Sequence, residues 1–254
     1  MKVIKNKLSD VGRAPCSVDN LNDLPFIPKD PLPKKNFCMY IVGSPGSGKT
    51  NLTLSLMLSH PTKKNKNKNR YFYGLFDSIW LISGSIGTLP EKFLKQIDED
   101  KQFGEFSDEL IEDIIQTLYD GKNQNNLIIM DDCIRDLSNS KILSKLLLNR
   151  RHISHNPDRE DDDGQGSVSI MITSQKFSLL PLSFRVACSD FALFKSTNKT
   201  EINRIGDEVC YDLSSDDYEE LLKTVWAKKY DFMFLRPNEN IDKKYYKNFD
   251  AIEF

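Results

Sequence analysis

Apolar positions along the chain fall into short unbroken runs, separated by longer stretches in which they recur every three or four residues. The run Phe37 to Val42 (FCMYIV) predicts a buried strand, and Leu52, Leu54, Leu56, Met57 and Leu58 predict a helix soon after it. Ile79 to Ile82, closed by Ser83 and Gly84, is a second strand. A helix from Ser107 to Tyr119 follows, with Leu110, Ile111, Ile114, Ile115 and Leu118 apolar and Gly121 as its stop. Leu127 to Met130 is a strand ending on Asp131 and Asp132. A helix with Ile142, Leu143, Leu146 and Leu147 then runs into Arg150, Arg151 and His152. Val168 to Ile172 leads through Thr173 into Gln175, and Phe191 to Phe194 makes one more strand. Ser214 and Asp217 have the spacing of a capping box before Tyr218, Leu221, Leu222, Val225 and Trp226, and Phe232 to Leu235 is a last strand. This alternation predicts an α/β protein: a mainly parallel sheet with helices on both faces.

The remaining segments lack either period. Residues 1–36 carry Pro15, Pro25, Pro28, Pro31 and Pro33 and read as an extended arm, laid on the core or free in solution. The basic tract from Lys63 to Arg70 and the acidic, glycine-containing stretch from Arg159 to Gly166 read as surface loops. Residues 37–235 form the predicted domain and 236–254 a tail.

The segment GSPGSGKT, residues 43–50, joins the first strand to the first helix and fits the spacing GxxxxGK[ST]. Gly43, Gly46 and Gly48 let the backbone turn its N–H groups inward round phosphates, and the helix adds its positive N-terminal end. Lys49 reaches the β- and γ-phosphates in this pattern, and the Thr50 hydroxyl ligates Mg²⁺. The nucleotide-binding set is Gly43, Ser44, Pro45, Gly46, Ser47, Gly48, Lys49, Thr50 and Asn51.

The strand ending on Asp131 and Asp132 matches the second motif of such sites, the Walker B element. There Asp131 holds the metal, usually through water, and Asp132 orients the attacking water. Gln175 faces the γ-phosphate if its strand lies between the two motif strands. Arg150, Arg151 and Arg185 are candidates for an arginine supplied to a neighbouring subunit's γ-phosphate, with a surface ion pair as the alternative for Arg185. His152 and His155 lack further ligands nearby for a metal site. Asn198 to Glu201 imitates the guanine-reading NKxD motif with Glu in the place of Asp.

Composition narrows the setting. A chain of 254 residues that is 39% hydrophobic fills one sizeable core, and a net charge of −2 excludes bulk attraction to nucleic acid. Cys16, Cys38, Cys133, Cys188 and Cys210 are an odd, widely spaced set, which argues against a disulfide framework or a zinc ribbon and for a reducing compartment. The N-terminus has no apolar signal core and no run approaches the roughly 20 apolar residues of a membrane helix, so a soluble, intracellular product is expected.

FCMYIVGSPGSGKTNL, LIIMDD, LLLNRRHISHN, SIMITSQ and LPLSFRVACSDFALF, in that order from Phe37 to Phe234, resemble the FtsK-HerA superfamily of P-loop motors, and within it the genome-packaging ATPases of large DNA viruses and virophages. The resemblance implies a RecA-like fold of the ASCE type and a homo-oligomeric ring. It implies hydrolysis of ATP with Mg²⁺ to drive double-stranded DNA into a preformed capsid, in the virion or the host-cell cytoplasm, with capsid or internal-membrane vertex proteins as further partners. It makes Gln175 the sensor of hydrolysis and Arg185 the trans-acting finger, and groups them with Lys49 and Asp132 as catalytic residues. The chain departs from the superfamily in carrying Asp132 where Glu is common. Two other readings share the phosphate loop: a nucleotide or nucleoside kinase, with Arg150, Arg151 and Arg159 on a lid, and a non-catalytic ATP-gated scaffold for capsid assembly.

Overall fold

Strand Cys38–Val42 (β1), the first predicted one, lies inside a single sheet with partners far away in sequence, β5 (Ser167–Ser174) on one side and β6 (Asp190–Phe194) on the other. The computed structural model describes residues 21, 24–60, 62–63, 70–121, 124–133, 140–154, 156, 158 and 166–254. Most of the expected arm and of both charged loops, with His155 and Arg159, falls outside the described residues. The other strands are β2 (Ser78–Ser83), β3 (Gln102–Phe103), β4 (Asn125–Asp131), β7 (Phe232–Leu235), β8 (Tyr245–Lys247) and β9 (Asp250–Ala251). Their order is β3-β2-β4-β5-β1-β6-β7-β8-β9, parallel from β3 to β6 and antiparallel from β7 onward.

The central strands are apolar on both faces because both faces are covered. Tyr40, Ile82, Met130, Ile172 and Leu193 point to a layer of helices α3 (Asp108–Asp120), α4 (Lys141–Asn149), α6 (Lys199–Val209) and α7 (Ser215–Val225). Met39, Ile41, Ile129 and Met171 point the other way, to α1 (Lys49–Leu58), α2 (Glu91–Leu94), and Leu24 and Leu32 of the N-terminal segment. The described part of the arm therefore lies on the core. Each large side chain so buried contributes about 1.5–3 kcal/mol. Helix starts follow local chemistry: Ser107 Oγ accepts from Leu110 N at 3.1 Å, Ser140 Oγ from Leu143 N at 2.9 Å, and Ser214 Oγ from Asp217 N at 3.2 Å.

Two segments are more ordered than their sequence patterns suggest. The tail of residues 236–254 adds β8 and β9 to the sheet and buries Tyr245 and Tyr246. Lys244 is sunk there too, its ammonium 2.7 Å from Asp212. Residues 198–201 are the start of the unpredicted α6: Asn198 Oδ1 accepts from Thr200 N and Glu201 N, and the Glu201 carboxylate accepts from Ser178 N at 3.1 Å. The likeness to a guanine-reading motif is that of a helix cap. The four described cysteines are buried free thiols.

Asp190, at the foot of β6, is buried; it accepts from Ser189 Oγ at 2.7 Å and faces Arg236 Nε at 3.6 Å. Burial pushes its carboxyl from the ordinary 3.8 up to about 6, against the pull of Ser189, Arg236 and Arg150 and with a small push from Glu239. The folded value lies above the unfolded one, so the group's contribution is fully present below about pH 4 and is lost as pH rises through about 6. Asp190→Asn keeps an acceptor for Ser189. It is expected to flatten the fall in stability across that window and to exceed wild type by up to about 3 kcal/mol at neutral pH. Urea unfolding of both proteins from acid to neutral pH checks this; parallel curves would mean that the carboxylate is already ionised in the fold.

Candidate active site

The loop between β1 and α1 is built for a ligand close to its backbone. Gly46 and Gly48 have φ of 75° and 113°, in the left-handed region that side chains resist. Gly43 has an ordinary φ, but a Cβ there would meet Ser47 Oγ at 2.3 Å and Phe194 Cβ at 2.8 Å. Gly43 N donates to Ser174 O at 3.0 Å, which ties the loop's first residue to the end of β5. Helix α1 has Gly48 at its N-cap with no side-chain cap bond and no acidic residue in its first turn, so its leading N–H groups and positive end face an incoming anion. The Ser47 hydroxyl is buried without a bonding partner among the described residues. These features fit a polyphosphate.

Lys49 is 6% exposed and donates to Gly43 O at 2.9 Å. Its ammonium stands 4.0 Å from Asp132 Oδ2, and Gln175 Nε2 reaches the same oxygen at 3.5 Å. β5 does lie between β1 and β4, so the structure brings Lys49, Asp132 and Gln175 to one point at the C-terminal ends of three adjacent parallel strands. Brought together there, they can grip a terminal phosphate and align a water beside it. Asp132 is aimed by its backbone: φ of 53° turns the chain out of β4, a conformation that Asp tolerates.

The register explains the neighbouring carboxylate. Ser83, Asp131 and Thr173 sit side by side on β2, β4 and β5. Thr173 Oγ1 donates to Asp131 Oδ1 at 2.7 Å and accepts from Asp132 N at 3.0 Å, while Ser83 Oγ donates to Asp131 Oδ2 at 3.3 Å. Asp131 is thus oriented while buried, and it shares a small cleft with Thr50. A hydroxyl and a carboxylate beside a phosphate site are the hard oxygen donors that suit Mg²⁺. The hydrogen bonds already made to both Asp131 oxygens favour contact with such an ion through water.

Sequence reasoning missed Thr173 and Ser83, and also Tyr40. The Tyr40 hydroxyl lies 2.6 Å from Ser174 Oγ and 2.9 Å from Lys176 O, which pins the turn carrying Gln175. Burial pushes this phenol well above its ordinary pKa, so it stays neutral.

The arginines are placed differently from the expectation. Arg185 is 6% exposed; its Nε and Nη2 donate to the two Glu208 oxygens at 2.7 and 2.6 Å, its Nη1 to Leu180 O, and its guanidinium lies 4.9 Å from the Phe177 ring centroid. A side chain held this way does not project as a finger. The observed ion pair is the alternative reading of the sequence, made in the core instead of on the surface, and it fastens α5 (Leu182–Arg185) and the turn after Gln175 to α6. Arg150 donates to Asn36 O and Leu147 O, both at 2.7 Å, and exposed Arg151 lines a groove with Lys34 and Ser189. Both lie at the N-terminal edge of the parallel strands, opposite to the phosphate loop.

No family model matches the chain, and no curated protein matches it in sequence. Among solved structures, it is similar to the genome packaging NTPase B204 from Sulfolobus turreted icosahedral virus 2 in complex with sulfate, with a TM-score of 0.54 and 15% identity over 87% of this chain and 100% of that one. The ATP-gammaS complex of the same protein gives 0.51 and 13% over 85% and 98%. The DNA-packaging ATPase from Sulfolobus turreted icosahedral virus gives 0.50 and 15% over 84% and 97%. At these identities the likeness is one of fold: the chain has the RecA-like fold of P-loop ATPases, a mostly parallel sheet between two layers of helices.

Proposed function

We propose that the protein hydrolyses ATP at the loop of residues 43–50 and couples the reaction to movement of double-stranded DNA into a preformed capsid, as a ring of identical subunits. The observation that carries this reading is the meeting of Lys49, Asp132 and Gln175 at the end of β5, between the strands that bear the two phosphate-site motifs. A fold shared with viral packaging NTPases supports the choice of DNA as the cargo.

In this reading Lys49 leaves the Gly43 carbonyl for the β- and γ-phosphate oxygens, and the N–H groups of residues 46–50 take the rest of the triphosphate charge. Asp132 orients a water and accepts its proton as the water oxygen bonds to the γ-phosphorus and the bond to the β–γ bridging oxygen breaks. Gln175 touches the same carboxylate, so its turn registers whether the γ-phosphate is present. Thr50 and Asp131 would hold Mg²⁺, which when bound would offset the negative charge of the phosphates. Capsid or internal-membrane vertex proteins would dock the ring in the virion or the infected cytoplasm.

Duplex DNA is expected to raise ATP turnover in a salt-sensitive way, because phosphate contacts release counterions, and the protein is expected to have the mass of an oligomer in that state. Phosphate-release assays with and without duplex, alongside light scattering, check both points. A monomer whose turnover ignores DNA would remove the motor, and transfer of phosphate to a nucleotide acceptor would make the protein a kinase.

A further inference from the structure

Tyr230 is a large aromatic side chain that the fold leaves 57% exposed while holding its backbone at φ of 73°. A non-glycine residue in this region is strained, by about 1–2 kcal/mol, and folding gains nothing from an exposed ring. The turn that holds it is built around Asp231. The Asp231 carboxylate accepts from Lys228 N at 3.2 Å and Asn248 Nδ2 at 3.3 Å, and Lys247 Nζ stands 3.2 Å away. The C-terminal strands thus fix the turn next to the phosphate loop. A Cβ on Gly48 would come within 3.5 Å of the Tyr230 ring and 3.2 Å of the Phe194 ring.

A groove of about 430 Å³ opens there, between Ser44 to Ser47 on one wall and Phe194, Thr197, Trp226 and Tyr230 on the other. Its position relative to the catalytic cluster gives it meaning. Lys49, Asp132 and Gln175 fix the γ-phosphate end on the β4–β5 side of β1, so a triphosphate threaded through the loop leads its nucleoside toward the opposite flank, where β6 ends and β7 begins.

Resting on the nucleotide-hydrolysis reading, we infer that Tyr230 is the stacking platform for the nucleobase and that the groove beside it is the nucleoside subsite, recognising a nucleotide through the face of its base. The Asp231 carboxylate, already engaged in the turn, shapes the platform and does not read the base. Lys229, whose ammonium lies 4.8 Å from the Tyr230 centroid, adds positive charge at the rim.

The test compares ADP with inorganic pyrophosphate, each with Mg²⁺, by calorimetry on wild type, Tyr230→Gly and Tyr230→Phe. Glycine suits the φ of 73° and leaves the turn intact, while phenylalanine keeps the ring. Tyr230→Gly is expected to weaken ADP about tenfold, the scale of one base stacked on one ring, and to leave pyrophosphate unchanged. Tyr230→Phe is expected to bind both like wild type. Equal losses for ADP and pyrophosphate in the glycine variant, or no loss for ADP, would overturn the stacking role. Wild type that binds neither probe would overturn the nucleotide reading itself.

Discussion

Lys49→Met is expected to lower ATP turnover by about 10²–10³-fold, the loss seen when one preorganised charge is removed from a transition state. Methionine keeps the buried stem and most of its volume, so the change is confined to the ammonium that now lies 2.9 Å from Gly43 O and 4.0 Å from Asp132 Oδ2. The fold loses little. One loop carbonyl gives up its partner, a cost of about 1–3 kcal/mol, and the Asp132 side chain is 40% exposed. Steady-state phosphate release with a thermal unfolding curve separates the two effects. Near-normal turnover in a folded variant would mean that this ammonium does not touch the reacting phosphate.

Asp132→Asn is expected to reduce kcat by about 10²–10⁴-fold while nucleotide still binds, because the substitution removes a proton acceptor and leaves the cradle alone. Asparagine tolerates the left-handed φ of 53° at this position and can keep the contact with Gln175. It also removes a negative charge beside the triphosphate, so affinity is expected to rise slightly, not fall. Single-turnover phosphate release and a nucleotide titration check the two signs. Loss of binding together with turnover would assign Asp132 to the cradle and not to the water.

The parts of this site legible in the sequence are those set by local spacing. Three glycines at fixed offsets, a lysine and threonine after them, and an apolar strand ending on two aspartates each describe one turn or one strand end, and local sterics decide those. The placement of Gln175 needed strand order, which depends on pairing between segments far apart in the chain, Cys38 with Ile170 and Asn125 with Ser167. Only the structure sets β5 between β1 and β4. The same holds for Ser83 and Thr173, ordinary strand residues until the register places them on either side of Asp131. The sequence left Arg185 open between a finger and an ion pair for a related reason. Its partner Glu208 lies on a helix that comes after the next strand, and no spacing rule links them. The start of α6 carried its own signal, since Asn198 is a good cap and Ile202, Ile205 and Val209 have helical spacing. β8 and β9 are three and two residues long, too short for any period to show, and only the pairing of β8 with β7 and of β9 with β8 makes them part of the sheet.

The most direct test is a crystal structure with a non-hydrolysable ATP analogue and Mg²⁺. The γ-phosphate is expected within hydrogen-bond reach of Lys49 and Gln175, the ion on Thr50 with Asp131 behind it, and a water between Asp132 and the phosphorus. A nucleotide bound elsewhere, or phosphates in the loop with Asp132 and Gln175 turned away from them, would contradict it.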